Sequence, residues 1–247
     1  MEITTVNLTP DGRVNLTAYI QQPSPEMPNR AVRPAVIVLP GGGYDHLSSR
    51  EAEPVALSYL AAGFQAFVLR YTIGGGYRFE DALQDISDAV KLVREQAEGW
   101  HLDPEKIAVC GFSAGGHLAA ASGTLAEHKP NAMILCYPCI LKNTSRILRF
   151  SVPSLDEAVT ADTPPAFLFH TRDDQGVAVG NSLQFANALD KAGVSFEMHI
   201  FGKGPHGISL ANALTSGGRT ALEDPSVEQW MSMSITWMNR LFKMDCV

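Results

Sequence analysis

The sequence is short of basic charge and has no long apolar run. Among its 247 residues, 19 Lys and Arg stand against 26 Asp and Glu, which gives a formal net charge of −7. A surface that neutralises nucleic-acid phosphates needs an excess of cations, so a nucleic-acid partner is not expected. No segment approaches the roughly 18 apolar residues of a membrane span, and residues 1–10 lack the basic start and apolar core of a signal peptide. We therefore expect a soluble, cytoplasmic protein.

Cysteine is also scarce, and the four cysteines are Cys110, Cys136, Cys139 and Cys246. A domain of this length buries enough apolar surface without disulfides, so reduced thiols are expected. Cys136 and Cys139 have redox or zinc spacing, but no second pair completes a tetrahedral site, and no other metal motif occurs. The sequence thus predicts ordinary buried cysteines, with no metal and no cofactor.

Short apolar runs alternate along the chain with longer helical patterns, without a repeat or linker. This alternation predicts an α/β fold in one domain over residues 1–247, with a mostly parallel sheet flanked by helices. The predicted strands are Asn15–Ile20, Ala35–Leu39, Gln65–Leu69, Ile107–Cys110, Ala132–Cys136, Ala166–Phe169 and Ser195–Phe201. The predicted helices are Glu53–Ala62, Phe79–Gln96, Ala114–Leu125, Val179–Ala192 and a last helix that begins at Pro225 after an Asp224 cap.

Two segments follow neither the strand nor the helix period, namely Ile73–Tyr77 and Ile140–Pro165. Both are predicted to be loops. The second is long for a connection without structure, which is typical of a lid or binding loop over a site. It is too short for a helical cap, so the sequence predicts a short lid insertion at residues 140–165.

The strongest chemical motif is Gly111-Phe-Ser113-Ala-Gly115, a G-x-S-x-G between a predicted strand and a predicted helix. In that context the serine stands on a strained turn, which the flanking glycines permit because they have no side chains to collide. Ser113 is therefore the candidate nucleophile. A serine at an ordinary strand–helix turn is the simpler alternative.

A serine hydroxyl needs a base and a carboxylate that orients the base, and both follow the serine in this arrangement. Of the seven histidines, His206 alone lies in a loop after the last predicted strand. His199 lies within that strand, His117 is expected to pack inside a helix, and His170 is expected to form local hydrogen bonds. The acid is Asp173 or Asp174, which directly follow a strand, and the spacing alone leaves the choice between them open.

Three stretches together resemble the small bacterial esterase/lipase family of α/β-hydrolases. They are Gly111–Gly116 with the following His117, the Pro40–Tyr44 turn, and Thr163–Asp174. The resemblance covers nearly the whole chain and implies the α/β-hydrolase fold. The family carries a His-x-x-x-Asp-x-x-Val pattern, which implies that Asp174 is the acid and that Asp173 caps the turn. Many relatives have Pro after that valine, where this chain has Ala178.

By the same resemblance, the oxyanion-hole donors are the backbone N–H groups of Gly42, Gly43 and Ala114. Pro40 replaces the usual first histidine of that turn, which leaves main-chain donors intact. A phosphate loop or dinucleotide fingerprint does not fit, because neither the Lys-Ser/Thr nor the G-x-G-x-x-G pattern is present. A glycine-rich turn without function remains the alternative.

These features predict a serine carboxylesterase that hydrolyses small acyl esters through Ser113, His206 and Asp174. The resemblance implies acetyl esters, often of sugars or xylan fragments, as small-molecule substrates. One alternative is an amidase, such as an arylformamidase, or a peptidase that uses the same three residues. A ligand-binding protein without catalysis is a further alternative.

Overall fold

The computed structural model describes residues 1–244, and its centre is a single eight-stranded sheet. The strands follow the order β1-β2-β4-β3-β5-β6-β7-β8 across the sheet. From β4 to β8 neighbouring strands are parallel, while β1 and β2 pair antiparallel at one edge. Their bounds are β1 Glu2–Asn7, β2 Asn15–Ile20, β3 Arg33–Leu39, β4 Gln65–Arg70, β5 Leu102–Phe112, β6 Ala132–Cys136, β7 Ala166–Thr171 and β8 Phe196–Phe201.

Helices cover the sheet, and the first four each begin within a residue of their predicted positions. They are α1 Glu53–Ala61, α2 Phe79–Glu95, α3 Ala114–Thr124, α4 Gly180–Lys191, α5 Ala213–Ser216, α6 Pro225–Glu228 and α7 Trp230–Leu241. The predicted last helix is two pieces, α6 and α7, separated by Gln229; the Asp224 carboxylate caps α6 by accepting from the Ser226 and Val227 amides. Within residues 1–244, every helix is too short or too polar to cross a bilayer.

The core lies on both faces of the sheet because the parallel strands are covered on both sides. Along β3, Ile37 and Leu39 enter one core, whereas Val36 and Val38 enter the other. The helices α2, α3 and α4 pack on the first face, and α1 and α7 on the second. Parallel strands buried in this way show continuous apolar runs, which is why their positions could be predicted.

The 140–165 segment is more ordered than its sequence pattern indicates. It contains two 3-10 turns, Lys142–Ile147 and Leu155–Ala158. Phe150, Val152 and Leu155 are buried in the core on the α3 side of the sheet. Spaced apolar side chains, which follow neither the helix nor the strand period, therefore fix this segment to the body of the fold.

The cysteines that the structure describes are buried free thiols: Cys110, Cys136 and Cys139. The Sγ atoms of Cys110 and Cys136 lie 4.0 Å apart on neighbouring strands. The fourth, Cys246, lies outside the described residues.

The parallel strands end at a common edge of the sheet. Leu39 of β3 pairs with Gly111 of β5, and Thr171 of β7 pairs with Phe201 of β8. The segments that follow these strands therefore emerge side by side, and they contain the residues singled out in the sequence. In sheets of this kind the carboxyl edge is where ligands bind.

Candidate active site

Ser113 lies on a sharp turn between β5 and α3, with a φ of 52°. Its amide donates to the Cys136 carbonyl at 3.0 Å, and its own carbonyl accepts from the Cys139 amide at 3.1 Å. A side chain at either flanking glycine would collide with backbone: a Cβ on Gly111 meets the Gly115 carbonyl, and a Cβ on Gly115 meets the Leu39 carbonyl. The close approach of these backbones holds the serine in a conformation that costs on the order of 1 kcal/mol or more.

Two short hydrogen bonds connect Ser113, His206 and Asp174. The Ser113 Oγ lies 2.8 Å from His206 Nε2, and His206 Nδ1 lies 2.7 Å from Asp174 Oδ2. The three residues follow β5, β8 and β7, so the common strand edge brings together positions far apart in the sequence. The Asp174 side chain is 1% exposed and that of His206 is 28% exposed. The histidine thus faces the cavity while the carboxylate lies behind it.

The surroundings of Asp174 favour its ionised form. Burial by itself raises the pKa of a carboxyl, but this carboxylate accepts from the amides of Gly176 and Val177 and from His206. His170 also lowers the pKa of this carboxyl, because its Nε2, which donates to the Val177 carbonyl at 2.9 Å, lies 3.5 Å from Asp174 Oδ2. The net effect holds the pKa of Asp174 well below its ordinary value.

The neighbouring Asp173 has a separate contact. Its exposed carboxylate accepts from the Gly204 amide at 2.8 Å, in the loop that carries His206. His199 pairs with Glu197 on β8, and His170 Nδ1 lies 2.7 Å from the Ser182 hydroxyl. The contacts of His199 and His170 are local, as expected, whereas the Asp173 carboxylate binds the loop of His206 instead of capping its own turn.

The turn after β3 presents backbone N–H groups toward the same cavity. The amides of Gly42, Gly43 and Ala114 have no hydrogen-bond acceptor among residues 1–244, whereas the Gly42 carbonyl accepts from the Asp45 and His46 amides. Gly42 and Gly43 have φ values of 135° and 67°, which side-chain-bearing residues rarely adopt. Donors without a partner in the protein are available to a ligand.

Glu51, which the sequence analysis did not single out, supports this turn. Its buried carboxylate accepts from the Gly41 amide at 2.9 Å and from the Tyr137 hydroxyl at 2.7 Å. The Tyr137 oxygen in turn accepts from the Ser209 amide, and its ring packs edge-on at 5.2 Å from that of His206. Burial and the Glu51 charge raise the pKa of Tyr137 well above its ordinary value, so the phenol remains a donor. One carboxylate thus connects the Gly41 turn with the loop of His206.

His117 makes a second connection, between α3 and the 140–165 segment. The Tyr44 hydroxyl lies 3.0 Å from its Nδ1, and its Nε2 lies 3.4 Å from the Pro153 carbonyl. Burial lowers the pKa of His117 to about 4, so the ring is neutral near pH 7. In its neutral form it accepts from Tyr44 and donates to Pro153.

A cavity of about 690 Å³ opens above Ser113 and His206. Gly42 and Gly43 form one side, and Ile147 and Leu148 of the 140–165 segment form another. The volume is within the range of small-molecule sites. Behind the serine lies Cys139, whose Sγ is 4.0 Å from Ser113 Oγ, and burial raises the pKa of that thiol to about 12.

Two family models match successive parts of the chain. The BD-FAE model matches residues 23–145, which include Gly42, Gly43 and Ser113. The model of the prolyl oligopeptidase family matches residues 149–222, which include Asp174 and His206.

Solved structures resemble the chain over almost its full length. An α/β hydrolase from a Medee basin deep-sea metagenome library is 40% identical, with a TM-score of 0.93 and 98% of each chain covered. An acetyl ester-xyloside bifunctional hydrolase from Caldicellulosiruptor lactoaceticus is 35% identical, with a TM-score of 0.79, and the match covers 93% of this chain and 88% of that one.

Curated relatives are longer than this chain. The acetylxylan esterase of Xylanibacter ruminicola is 31% identical over 228 residues, which cover 83% of this chain and 46% of that protein. The chain therefore spans about half the length of this relative.

Proposed function

Because the chain belongs to the esterase family of α/β-hydrolases, we propose that it is a serine carboxylesterase with Ser113, His206 and Asp174 as its catalytic residues. The observation that carries the proposal is the pair of short hydrogen bonds, 2.8 Å and 2.7 Å long, that joins the serine through the imidazole to a buried carboxylate. This arrangement activates a serine hydroxyl as a nucleophile.

In the first half of the reaction, Ser113 Oγ attacks the acyl carbon while its proton passes to His206 Nε2. Negative charge develops on the acyl oxygen, and the free amides of Gly42, Gly43 and Ala114 form the oxyanion hole. His206 then gives the proton to the departing alcohol, which leaves an acyl group on Ser113. Asp174 accepts from Nδ1 throughout and stabilises the imidazolium.

In the second half, water takes the place of the alcohol. His206 removes a proton from the water as it attacks the acyl carbon, and returns a proton to Ser113 as the acid leaves. Glu51 acts as a positioning residue, because its bonds to Gly41 and Tyr137 hold the oxyanion turn and the His206 loop at a fixed separation.

We further propose that the acyl group is small, with acetyl esters as the main substrates. Two relatives, the acetylxylan esterase and the acetyl ester-xyloside hydrolase, are named after acetyl esters. Their names suggest acetylated carbohydrates as the substrates of this chain. The short 140–165 segment serves as the lid, and it covers one side of the cavity.

A peptidase or amidase is the second candidate, because the prolyl oligopeptidase model matches the part of the chain that carries Asp174 and His206. The same residues can form an acyl-enzyme from an amide. Rates for p-nitrophenyl acetate and p-nitroacetanilide distinguish the two, and we expect the ester to be strongly preferred.

Substitution of the two reacting residues tests the mechanism. We expect Ser113→Ala and His206→Ala each to lower kcat for p-nitrophenyl acetate about 10³-fold or more, and the double variant to be little worse, because the pair transfers one proton. An organophosphonate should label the wild-type protein at Ser113 and leave Ser113→Ala unmodified. Losses that multiply in the double variant, or labelling at another residue, would refute the mechanism.

A further inference from the structure

Three arginines border the cavity above Ser113. Arg50 belongs to the 3-10 turn Ser49–Glu51, and Arg146 and Arg149 belong to the 140–165 segment. Within the described part of the chain, none of their guanidinium groups forms an ion pair with a carboxylate. The protein has a net charge of −7, so a cluster of unpaired cations around one cavity runs against the composition of the chain.

The acidic residues of the cavity do not balance this charge. Asp45 and Glu51 are the two that line it. Both carboxylate oxygens of Glu51 are already engaged, one by the Gly41 amide and the other by the Tyr137 hydroxyl. Three guanidinium groups therefore face two carboxylates, and of these only that of Asp45 is exposed.

The backbone of Arg149 is bound beside the turn after β3, and its side chain is exposed. Its amide donates to the Gly43 carbonyl at 2.7 Å, beside the proposed oxyanion turn. Its guanidinium lies against Gly75, where an added Cβ would be only 2.7 Å from Nη2. The absence of a side chain at Gly75 thus leaves the space that this guanidinium occupies.

Arg50 lies beside the loop that carries His206. Its Nη1 donates to the Thr215 carbonyl at 3.2 Å. Its Nη2 lies beside Gly207, the residue that follows His206. One guanidinium therefore lies against Gly75, on a residue whose backbone is bound to Gly43, and another lies beside the His206 loop.

We propose that this cavity selects an ester whose alcohol part carries a carboxylate, which the guanidinium groups of Arg146 and Arg149 bind with support from Arg50. The inference rests on the proposed esterase function. Guanidinium groups pair with carboxylates through two parallel hydrogen bonds, which gives direction as well as attraction. Arg146 and Arg149 are exposed at the mouth of the cavity, so they meet the alcohol part of the ester rather than the small acyl group at Ser113.

The test compares two acetyl esters of nearly equal shape, 4-acetoxybenzoate and its methyl ester, by the release of acetate. Each kcat/KM is divided by the rate of hydroxide-catalysed hydrolysis, which removes the difference between the leaving groups. We expect the anionic ester to be preferred about tenfold at low ionic strength, and the preference to shrink with added salt.

Substitutions locate the source of the preference. Arg146→Gln and Arg149→Gln should each lower the anionic-to-neutral ratio about threefold, while Arg149→Lys retains part of it. Arg240→Gln is the matched control, because Arg240 is an exposed arginine on α7 that lines a separate groove, and it should leave the ratio unchanged. The inference is overturned if both esters are hydrolysed with an anionic-to-neutral ratio near one and the arginine variants do not change that ratio. The esterase proposal would then still stand.

A binding measurement separates the inference from the proposed chemistry. We expect the product 4-hydroxybenzoate to bind the wild-type protein in calorimetry and to bind Arg149→Gln more weakly. Arginine-dependent binding without hydrolysis of either ester would reject the esterase proposal and support the anionic site. Equal binding to both proteins would reject the site.

Discussion

The turn at Ser113 and the 140–165 segment border the same cavity, but the turn is shaped by close backbone contacts and the segment meets the cavity through side chains. At the turn, Gly111 and Gly115 approach other backbone atoms so closely that no side chain fits. In the segment, Arg146, Ile147 and Arg149 are exposed and meet the cavity through side chains. The comparison indicates that backbone sterics fix the position of the proposed nucleophile, while exposed side chains form the part of the cavity border that we propose meets the substrate.

If the residues at the strand ends carry out the reaction, substitutions of the two adjacent aspartates after β7, Asp173 and Asp174, should lower kcat by very different amounts. Asp174→Asn removes the carboxylate that orients His206, so we expect kcat for p-nitrophenyl acetate to fall about 10³-fold or more. Asp173→Asn is the matched control, because the Asp173 carboxylate accepts from the Gly204 amide and not from His206, and kcat should stay within a few-fold. A larger loss for Asp173→Asn would show that the assignment of the acid is wrong.

The steric argument is tested by adding one methyl group. Gly115→Ala directs a Cβ into the Leu39 carbonyl and should lower the free energy of unfolding by about 3 kcal/mol, with a loss of activity. Gly180→Ala at the start of α4 meets nothing within 4 Å and should be neutral or slightly stabilising. Denaturant unfolding measures both. A fully stable Gly115→Ala protein would contradict the claim that backbone contact holds the turn.

His117 links the two regions, and its burial gives that link a pH dependence. The pKa of His117 is about 4 in the folded protein and about 6.5 when unfolded, so the unfolded chain takes up the proton first as the pH falls. The stability that neutral His117 provides is complete above about pH 6.5 and declines by up to about 3 kcal/mol toward pH 4.

Unfolding free energies of wild type and His117→Gln at pH 7, 5.5 and 4 measure this effect. Gln keeps a donor for the Pro153 carbonyl and an acceptor for Tyr44, but it does not titrate. We expect the wild type to lose stability more steeply than the variant over this range. Parallel curves would exclude His117 as the titrating group.

The smallest expected effect concerns the length of the acyl chain. The 690 Å³ cavity is open, and an extra methylene gains about 0.8 kcal/mol only where it is buried. For p-nitrophenyl esters we expect kcat/KM to be highest from acetyl to butyryl and to fall clearly by octanoyl, in a series at fixed pH. An optimum at eight carbons or more would mean that the 140–165 segment forms a deeper acyl channel.

The central strands could be predicted from the sequence because burial on both faces leaves long apolar runs. Strand β1 could not, since Glu2–Asn7 lies at the edge of the sheet with most of its side chains at least partly exposed. Its two apolar residues, Ile3 and Val6, are three positions apart and Ile3 is 57% exposed, so no alternation of apolar residues marks the strand in the sequence. An edge strand depends on the neighbour it pairs with, which is a property of the fold rather than of the segment.

The candidate site was predictable where a motif or a position in the topology marks it. Ser113 has a motif, and His206 follows the last strand, so their proximity was expected. Glu51 has neither a motif nor a marked position in the topology. It is buried, whereas Glu53, two residues later, is partly exposed and forms an ion pair with Arg70 at 2.6 Å. Nothing in the sequence separates these two glutamates. Of the three cavity arginines, Arg146 and Arg149 belong to a segment without a period and Arg50 belongs to a short 3-10 turn, so only the folded chain shows that they border one cavity.

The bond between Ser113 and His206 joins positions 93 residues apart in the chain. Contacts of such sequence separation form late, because the entropy of closing a long loop must be overcome before they stabilise anything. An intermediate with its helices formed, but with β8 not yet docked on β7, would hold Ser113 apart from His206, its proposed proton acceptor. In refolding from denaturant, hydrolysis should therefore return after the far-ultraviolet circular dichroism, and enzyme activity would time the docking of the final strand.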